Sequence, residues 1–150
     1  METSWTADWA WSVPIIVFTM ISHVLLLGFM FRSLVDRHRI RQSSGQRSSF
    51  LASISVIAFL LLAIILHAFE GACWAVAYLL LGALPNAKQA MLFSLNAMTS
   101  LGHTELGLAE PWKLMAALEA LNGILLFGLT TAFMFALLVR LNFADEAGCP

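Results

Sequence analysis

The stretch MLFSLNAMTSLGHTE, residues Met91 to Glu105, decides how this chain folds. It is too polar to face lipid and too apolar for a solvent loop, and it lies between two long apolar segments. Its second half contains hydroxyl side chains and a glycine, which favours irregular backbone. Irregular backbone at membrane depth is tolerated only where protein buries it or where it lines a water-filled path. The stretch therefore predicts a short helix and a loop within a membrane protein.

The composition is that of a membrane protein. The 150 residues are 60% hydrophobic and 11% charged, and the mean hydropathy is +0.84. The hydrophobic fraction and mean hydropathy are higher, and the charged fraction is lower, than in soluble domains. The net charge of −1 argues against nucleic acid as a partner. Cys73 and Cys149 are far apart in sequence, and we expect both to be free thiols.

Three apolar segments are long enough to span a bilayer, at residues 13–35, 50–84 and 111–140. Tryptophans in residues 1–12 are typical of an interfacial belt before the first span. The second segment exceeds a single span, so it either tilts or bends near Gly71. The predicted divisions are a tail and first span at 1–35, a basic linker at 36–49, a main domain at 50–142 and a tail at 143–150.

The linker sets the predicted orientation. Its Ser, Gly and Gln content predicts a loop, and its arginines place that loop in the cytoplasm. The N-terminus is then outside, the Met91–Glu105 stretch enters from outside, and the C-terminal tail is cytoplasmic. Two roles remain open for Arg37, Arg39 and Arg41: topology alone, or binding of anionic lipid head groups.

A short helix begins the central stretch. Pro85 and Asn86 interrupt the second segment, and Asn86 followed by Gln89 resembles a capping box. The predicted helix from Ala87 to Met98 is too short to span.

The letters of residues 99–105 align with the T-T-x-G-Y-G-D that ends the pore helix of bacterial potassium channels. Matching letters in the flanking segments are His67, Glu70, Trp74-Ala75 and Tyr78 upstream, and Trp112, Glu119, Asn122-Gly123 and Phe127-Gly128 downstream. Over roughly residues 60–140 the chain thus resembles the tetrameric potassium channel superfamily.

The resemblance implies an all-α integral membrane protein: three transmembrane helices, a re-entrant pore helix and a filter loop, assembled as a homotetramer in the plasma membrane of a bacterium. It implies a channel for monovalent cations and no enzyme activity. We expect no cofactor beyond permeant K⁺ or Na⁺ at Ser100, Leu101 and Gly102. The implied filter is Thr99, Ser100, Leu101, Gly102, His103, Thr104 and Glu105; the implied cavity lining is Ile124, Phe127 and Thr131; the implied hinges are Gly123 and Gly128.

The filter letters predict altered selectivity. A potassium filter aims consecutive carbonyls at one axis, and glycine permits the left-handed steps that this requires. Gly102 supplies one such step, whereas Thr104 occupies the second glycine position and His103 the aromatic one. A β-branched residue at positive φ is an outlier. The inner half of the filter is therefore expected to persist, while the outer half differs and selectivity weakens.

A buried polar face should support this region. His67, Glu70, Trp74 and Tyr78 share one face at helical spacing. A glutamate in hydrocarbon is costly, so Glu70 should bond within the protein, with His67, Asn122 or the backbone of the short helix as candidate partners. Glu119 and Asn122 are expected behind the short helix, where they meet His67 or Glu70.

Two other readings remain. A pore-like protein with a collapsed filter would be structural or regulatory and would not conduct. A haem- or metal-binding bundle would use His23, His67 and His103. Counting about 1.5 Å per residue places His23 near mid-membrane and His67 toward the outer side, which keeps those two histidines apart.

Overall fold

Over the residues that the structure describes, the chain folds into four α-helices in this computed structural model. They are α1 (Glu2–Ser43), α2 (Ser49–Leu80), α3 (Ala87–Met98) and α4 (Lys113–Glu146). The structure describes residues 2–43, 49–101, 108 and 112–146, with side chains only for 5–40, 53–101, 108 and 112–141. Three helical stretches are long and apolar enough to cross a membrane: Trp5–Ile40, Ser53–Leu80 and Lys113–Leu141. The prediction of an all-α membrane protein with three spanning helices is confirmed at this level.

The short helix α3 has the predicted bounds, Ala87–Met98. Asn86 caps it, because the Asn86 side-chain oxygen accepts a hydrogen bond of 2.9 Å from the Gln89 backbone N–H. This bond satisfies one of the backbone donors that the first turn leaves free.

The first helix is longer than predicted at both ends. It includes the N-terminal tryptophans, continues through Pro14, and covers residues 36–43 of the segment predicted to be a loop. Arginine and glutamine are good helix formers, and extending an existing helix adds a hydrogen bond for each residue fixed. The final helix likewise continues into the predicted tail, as far as Glu146.

The second helix is one uninterrupted element through Gly71, and it ends at Leu80 rather than at Leu84. Its end is a Schellman motif: Gly82 N–H donates to Leu79 O, and Ala83 N–H donates to Tyr78 O. Gly82 has a φ of 63°, the left-handed conformation that this motif requires.

Helix α3 packs against both α2 and α4, while α1 packs against α4 and α2. One apolar cluster surrounds α3 and includes Trp74, Tyr78, Phe93 and Met115. A second cluster lies toward the other end of the long helices and includes Leu27, Phe59 and Leu137. Between the two, several polar side chains from all three long helices are buried.

Candidate functional site

The C-terminal end of α3 lies about a third of the way along its two neighbours, counted from the start of α4 and from the end of α2. A Cβ atom placed on Gly123 of α4 would lie 2.3 Å from the Met98 carbonyl oxygen, and one on Gly71 of α2 would lie 3.3 Å from Met98 Sδ. Gly123 is about 15 Å along α4 from Lys113, and Gly71 is about 14 Å from the end of α2 at Leu80. Both glycines therefore allow α3 to end deep between the spanning helices.

Buried hydrogen bonds join α3 to α2 and α4. The Ser94 hydroxyl lies 2.7 Å from the Gly71 carbonyl oxygen and 2.5 Å from Glu119 Oε1. Tyr78 OH donates to Glu119 Oε2 at 2.6 Å. Ser94, Tyr78 and Glu119 are all fully buried. These three contacts require three hydrogen atoms, and the hydroxyls of Ser94 and Tyr78 supply two of them. A proton on the Glu119 carboxyl supplies the third, so that all three contacts are hydrogen bonds.

A second polar cluster, formed by two histidines, a glutamate and a threonine, joins the three long helices. His23 Nδ1 lies 2.6 Å from Glu70 Oε1, and His67 Nδ1 lies 3.2 Å from Glu70 Oε2. On their other sides, His23 Nε2 and His67 Nε2 lie 3.1 and 3.0 Å from Thr130 Oγ1. The two imidazole centroids are 5.2 Å apart, and the His67 ring also stacks on Phe127. The predicted separation of His23 from His67 is therefore wrong.

The buried face predicted on α2 is observed, and its partners agree with the prediction in part. Glu70, Trp74 and Tyr78 are fully buried, and Glu70 contacts His67, a predicted partner, and His23, which was not predicted, rather than Asn122. Asn122 Nδ2 donates to Thr19 Oγ1 of α1 at 2.9 Å, and Glu119 contacts Ser94 and Tyr78. The prediction that Glu119 and Asn122 contact His67 or Glu70 is therefore wrong, because both bond to other side chains.

The buried polar residues of α1 were not predicted as a group. Asp8, Ser12, Thr19 and His23 are all nearly or fully buried. They share one face of a helix at spacings of i, i+4, i+11 and i+15. The pattern is visible in the sequence only if the helix starts at the N-terminus, whereas the predicted span began at residue 13.

Beyond Met98 the chain leaves α3 through a second Schellman motif. Ser100 N–H donates to Ala97 O at 2.9 Å, and Leu101 N–H donates to Asn96 O at 3.0 Å. Ser100 has a φ of 55°, so a serine occupies the left-handed position that glycine usually takes. Thr99, Ser100 and Leu101 are exposed in the single chain, Leu101 by 78%. The remaining predicted filter residues, Gly102, His103, Thr104 and Glu105, lie outside the described residues.

The residues predicted to line the cavity or to act as hinges all lie on α4, but they differ from one another in exposure and in packing. Ile124 is 56% exposed and Thr131 is also exposed, with the Thr131 hydroxyl donating to its own helix at Phe127 O. A Cβ on Gly128 would meet nothing within 4 Å, in contrast to Gly123. The two predicted hinge glycines are therefore not equivalent.

Among the remaining predicted residues, Arg37 and Arg39 are exposed, while the side chain of Arg41 lies outside the described ones. Cys73 is a free thiol, as predicted, and Cys149 is outside the described residues.

Comparison with known proteins does not assign this chain to a family. Searches of protein families, curated proteins and solved structures found no match to this chain. The functional argument therefore depends on the geometry above.

Proposed function

We propose that the protein is a homotetrameric channel for monovalent cations, in which α3 is a re-entrant pore helix and residues 99–105 form the filter. The observation that carries the proposal is the position of residues 99–101. They are irregular and exposed, and they follow a helix that ends about 15 Å along two spanning helices. Such backbone needs protein or water around it, and the described residues of one chain do not enclose it.

The direction of α3 supports a cation as the permeant species. The C-terminal end of a helix carries the negative end of its dipole, equivalent to about half an elementary charge. Four such ends directed at a common axis would lower the energy of a cation there. The Thr99 hydroxyl donates to Leu95 O, which leaves its oxygen lone pairs, together with the carbonyl oxygens beyond it, to face an ion.

The exposed face of α4 supports assembly from several copies. Leu121, Ile124, Gly128 and Thr131 are exposed and share one side of the helix. Small residues such as Gly128 allow helices to approach closely in membranes. In a tetramer this face would line the cavity and contact neighbouring copies, with the N-terminus outside and the C-terminus in the cytoplasm.

The sequence argument for weakened selectivity continues to apply to His103 and Thr104. One observation favours the alternative of a non-conducting protein with a collapsed filter. Ser100 takes the left-handed conformation and closes the end of α3, at a position where the channel resemblance requires the inner part of the filter.

One experiment distinguishes a conducting channel from a non-conducting protein with a collapsed filter. Native mass spectrometry in mild detergent should give tetramers, and the same preparation in liposomes should carry rubidium or sodium across the bilayer. A tetramer without flux would indicate the collapsed filter, and a monomer without flux would contradict the channel altogether.

A matched pair of variants tests the cavity assignment. Ile124→Trp places bulk on the α4 face assigned to the cavity and should reduce the flux several-fold. Ile57→Trp makes the same change on α2, where the isoleucine is 55% exposed compared with 56% for Ile124. Equal flux in the two variants would mean that Ile124 faces lipid.

A further inference from the structure

We propose that His23, His67 and Glu70 bind one divalent transition metal ion per chain, of the class to which Zn²⁺ and Co²⁺ belong. The site fastens α1 to α2 and does not depend on whether the protein conducts ions. It is built from three side chains on two helices, and a threonine from a third helix completes its surroundings.

The three side chains converge in the way that a metal requires. One ligand atom from each lies within 4.8 Å of the other two. Both Nδ1 atoms face the same carboxylate, at 2.6 Å for His23 and 3.2 Å for His67. Ligands of a tetrahedral Zn²⁺ lie about 3.3 Å apart, given metal–ligand distances near 2.05 Å. His67 Nδ1 and Glu70 Oε2 already have this separation. The distance between His23 Nδ1 and Glu70 Oε1 needs to increase by less than about 1 Å.

Thr130 supplies the outer contact that metal-bound histidines use. A metal-ligating histidine normally donates its second ring N–H to a nearby oxygen, which fixes the tautomer and the ring orientation. Here one hydroxyl oxygen lies 3.1 and 3.0 Å from the two Nε2 atoms, and its two lone pairs can accept from both. When both Nε2 atoms donate to Thr130, the lone pairs of both Nδ1 atoms are directed at Glu70.

In that tautomer, the two Nδ1 atoms and the Glu70 carboxylate need a cation between them. With both Nε2 atoms protonated, two nitrogen lone pairs face carboxylate oxygens, which is unfavourable without a positive charge between them. In this tautomer His67 Nδ1 and Glu70 Oε2, which are 3.2 Å apart, cannot hydrogen-bond to each other, and both are buried with no other hydrogen-bond partner among the described residues. His23 and Glu70 are fully buried and His67 is only 12% exposed, so water does not readily replace the missing partner. A metal ion would satisfy both atoms and balance the carboxylate.

The ligand types select the class of metal. Two imidazoles and one carboxylate suit Zn²⁺, Co²⁺, Ni²⁺ and Fe²⁺, whereas Mg²⁺ and Ca²⁺ prefer oxygen ligands alone. Three protein ligands leave at least one coordination position for water or a small anion.

The test uses purified full-length protein stripped with a chelator and titrated with Co²⁺, followed by its visible absorption and by calorimetry. We expect one Co²⁺ per chain, displaced by Zn²⁺. Affinity should fall at least tenfold in His67→Ala and in Glu70→Gln. Thr130→Val, which removes only the outer contact, should lower affinity by about 10- to 100-fold. His38→Ala is the control on a histidine far along α1, and should bind like the native protein.

A measurement on the native protein covers the case in which the variants fail to fold. Saturating Zn²⁺ should raise the melting temperature of the stripped protein, because a ligand that binds only the folded state stabilises it. X-ray absorption at the zinc edge should show two imidazoles. Absence of stoichiometric binding, or unchanged affinity in a folded His67→Ala protein, would overturn the proposal and leave a proton as the balancing cation.

Discussion

The close approach of α3 to α4 at Gly123 gives a sharp prediction. Replacing Gly123 by alanine places a Cβ atom 2.3 Å from the Met98 carbonyl oxygen, 2.7 Å from its Cα and 2.9 Å from its carbonyl carbon. These are backbone atoms and cannot rotate away as a side-chain end could. Restoring ordinary contact requires α3 and α4 to separate locally by about 1 Å. The shift would disturb the adjacent Ser94–Glu119 hydrogen bond.

The size of the effect follows from two opposing contributions. Alanine in place of glycine inside a helix stabilises by roughly 1 kcal/mol. Overpacking of a close contact costs typically about 1–3 kcal/mol, and a weakened buried hydrogen bond adds about 1 kcal/mol. Gly123→Ala should therefore destabilise the protein by about 1–3 kcal/mol. Gly128→Ala meets nothing within 4 Å and should be neutral or stabilising by up to about 1 kcal/mol.

The assay is thermal or denaturant unfolding of both variants in one detergent, together with flux in liposomes. Gly123→Ala should melt earlier and lose flux, and Gly128→Ala should retain both stability and flux. If the two variants behave alike, α3 does not end against Gly123, and the depth assigned to the pore helix is wrong.

Other predictions concern the buried polar contacts and the filter. Tyr78→Phe should destabilise by about 1–3 kcal/mol in the same unfolding assay, because it leaves Glu119 Oε2 buried without a donor. Glu119→Gln should be nearly neutral, since an amide supplies both a donor and an acceptor; a large loss of stability would show that Glu119 is ionised. Glu70→Ala should cost on the order of 3–5 kcal/mol by leaving two histidines buried without their charged partner, and an unchanged melting temperature would contradict this pairing. External acidification should reduce flux, because four protonated His103 side chains around the outer pore would repel cations. Identical pH profiles in the native protein and in His103→Tyr would show that this histidine is not the pH sensor.

Local sequence patterns predicted the local structure well. The bounds of α3 follow from a proline, the Asn86 cap and the length of an apolar run, all of which act within one or two turns. The buried face of Glu70, Trp74 and Tyr78 follows from helical spacing in the same way. Such features need no knowledge of a neighbouring helix.

Contacts between helices were predicted poorly. The pairing of His23 with Glu70 depends on how far α1 slides along α2, and no pattern within either helix fixes that register. Starting the first helix at residue 13 also hid the polar stripe that includes Asp8 and Ser12. The left-handed Ser100 was not predicted either, because serine carries no local signal for that conformation.

The most direct test of the channel assignment is the reversal potential of purified protein in a bilayer, with high K⁺ and low Na⁺ on one side and low K⁺ and high Na⁺ on the other. The account predicts a cation current that reverses far from the K⁺ equilibrium potential, and a shift toward that potential in the double variant His103→Tyr with Thr104→Gly. A native current that reverses at the K⁺ equilibrium potential would contradict the filter argument. Absence of any current from verified tetramers would contradict the proposal that this protein is a cation channel.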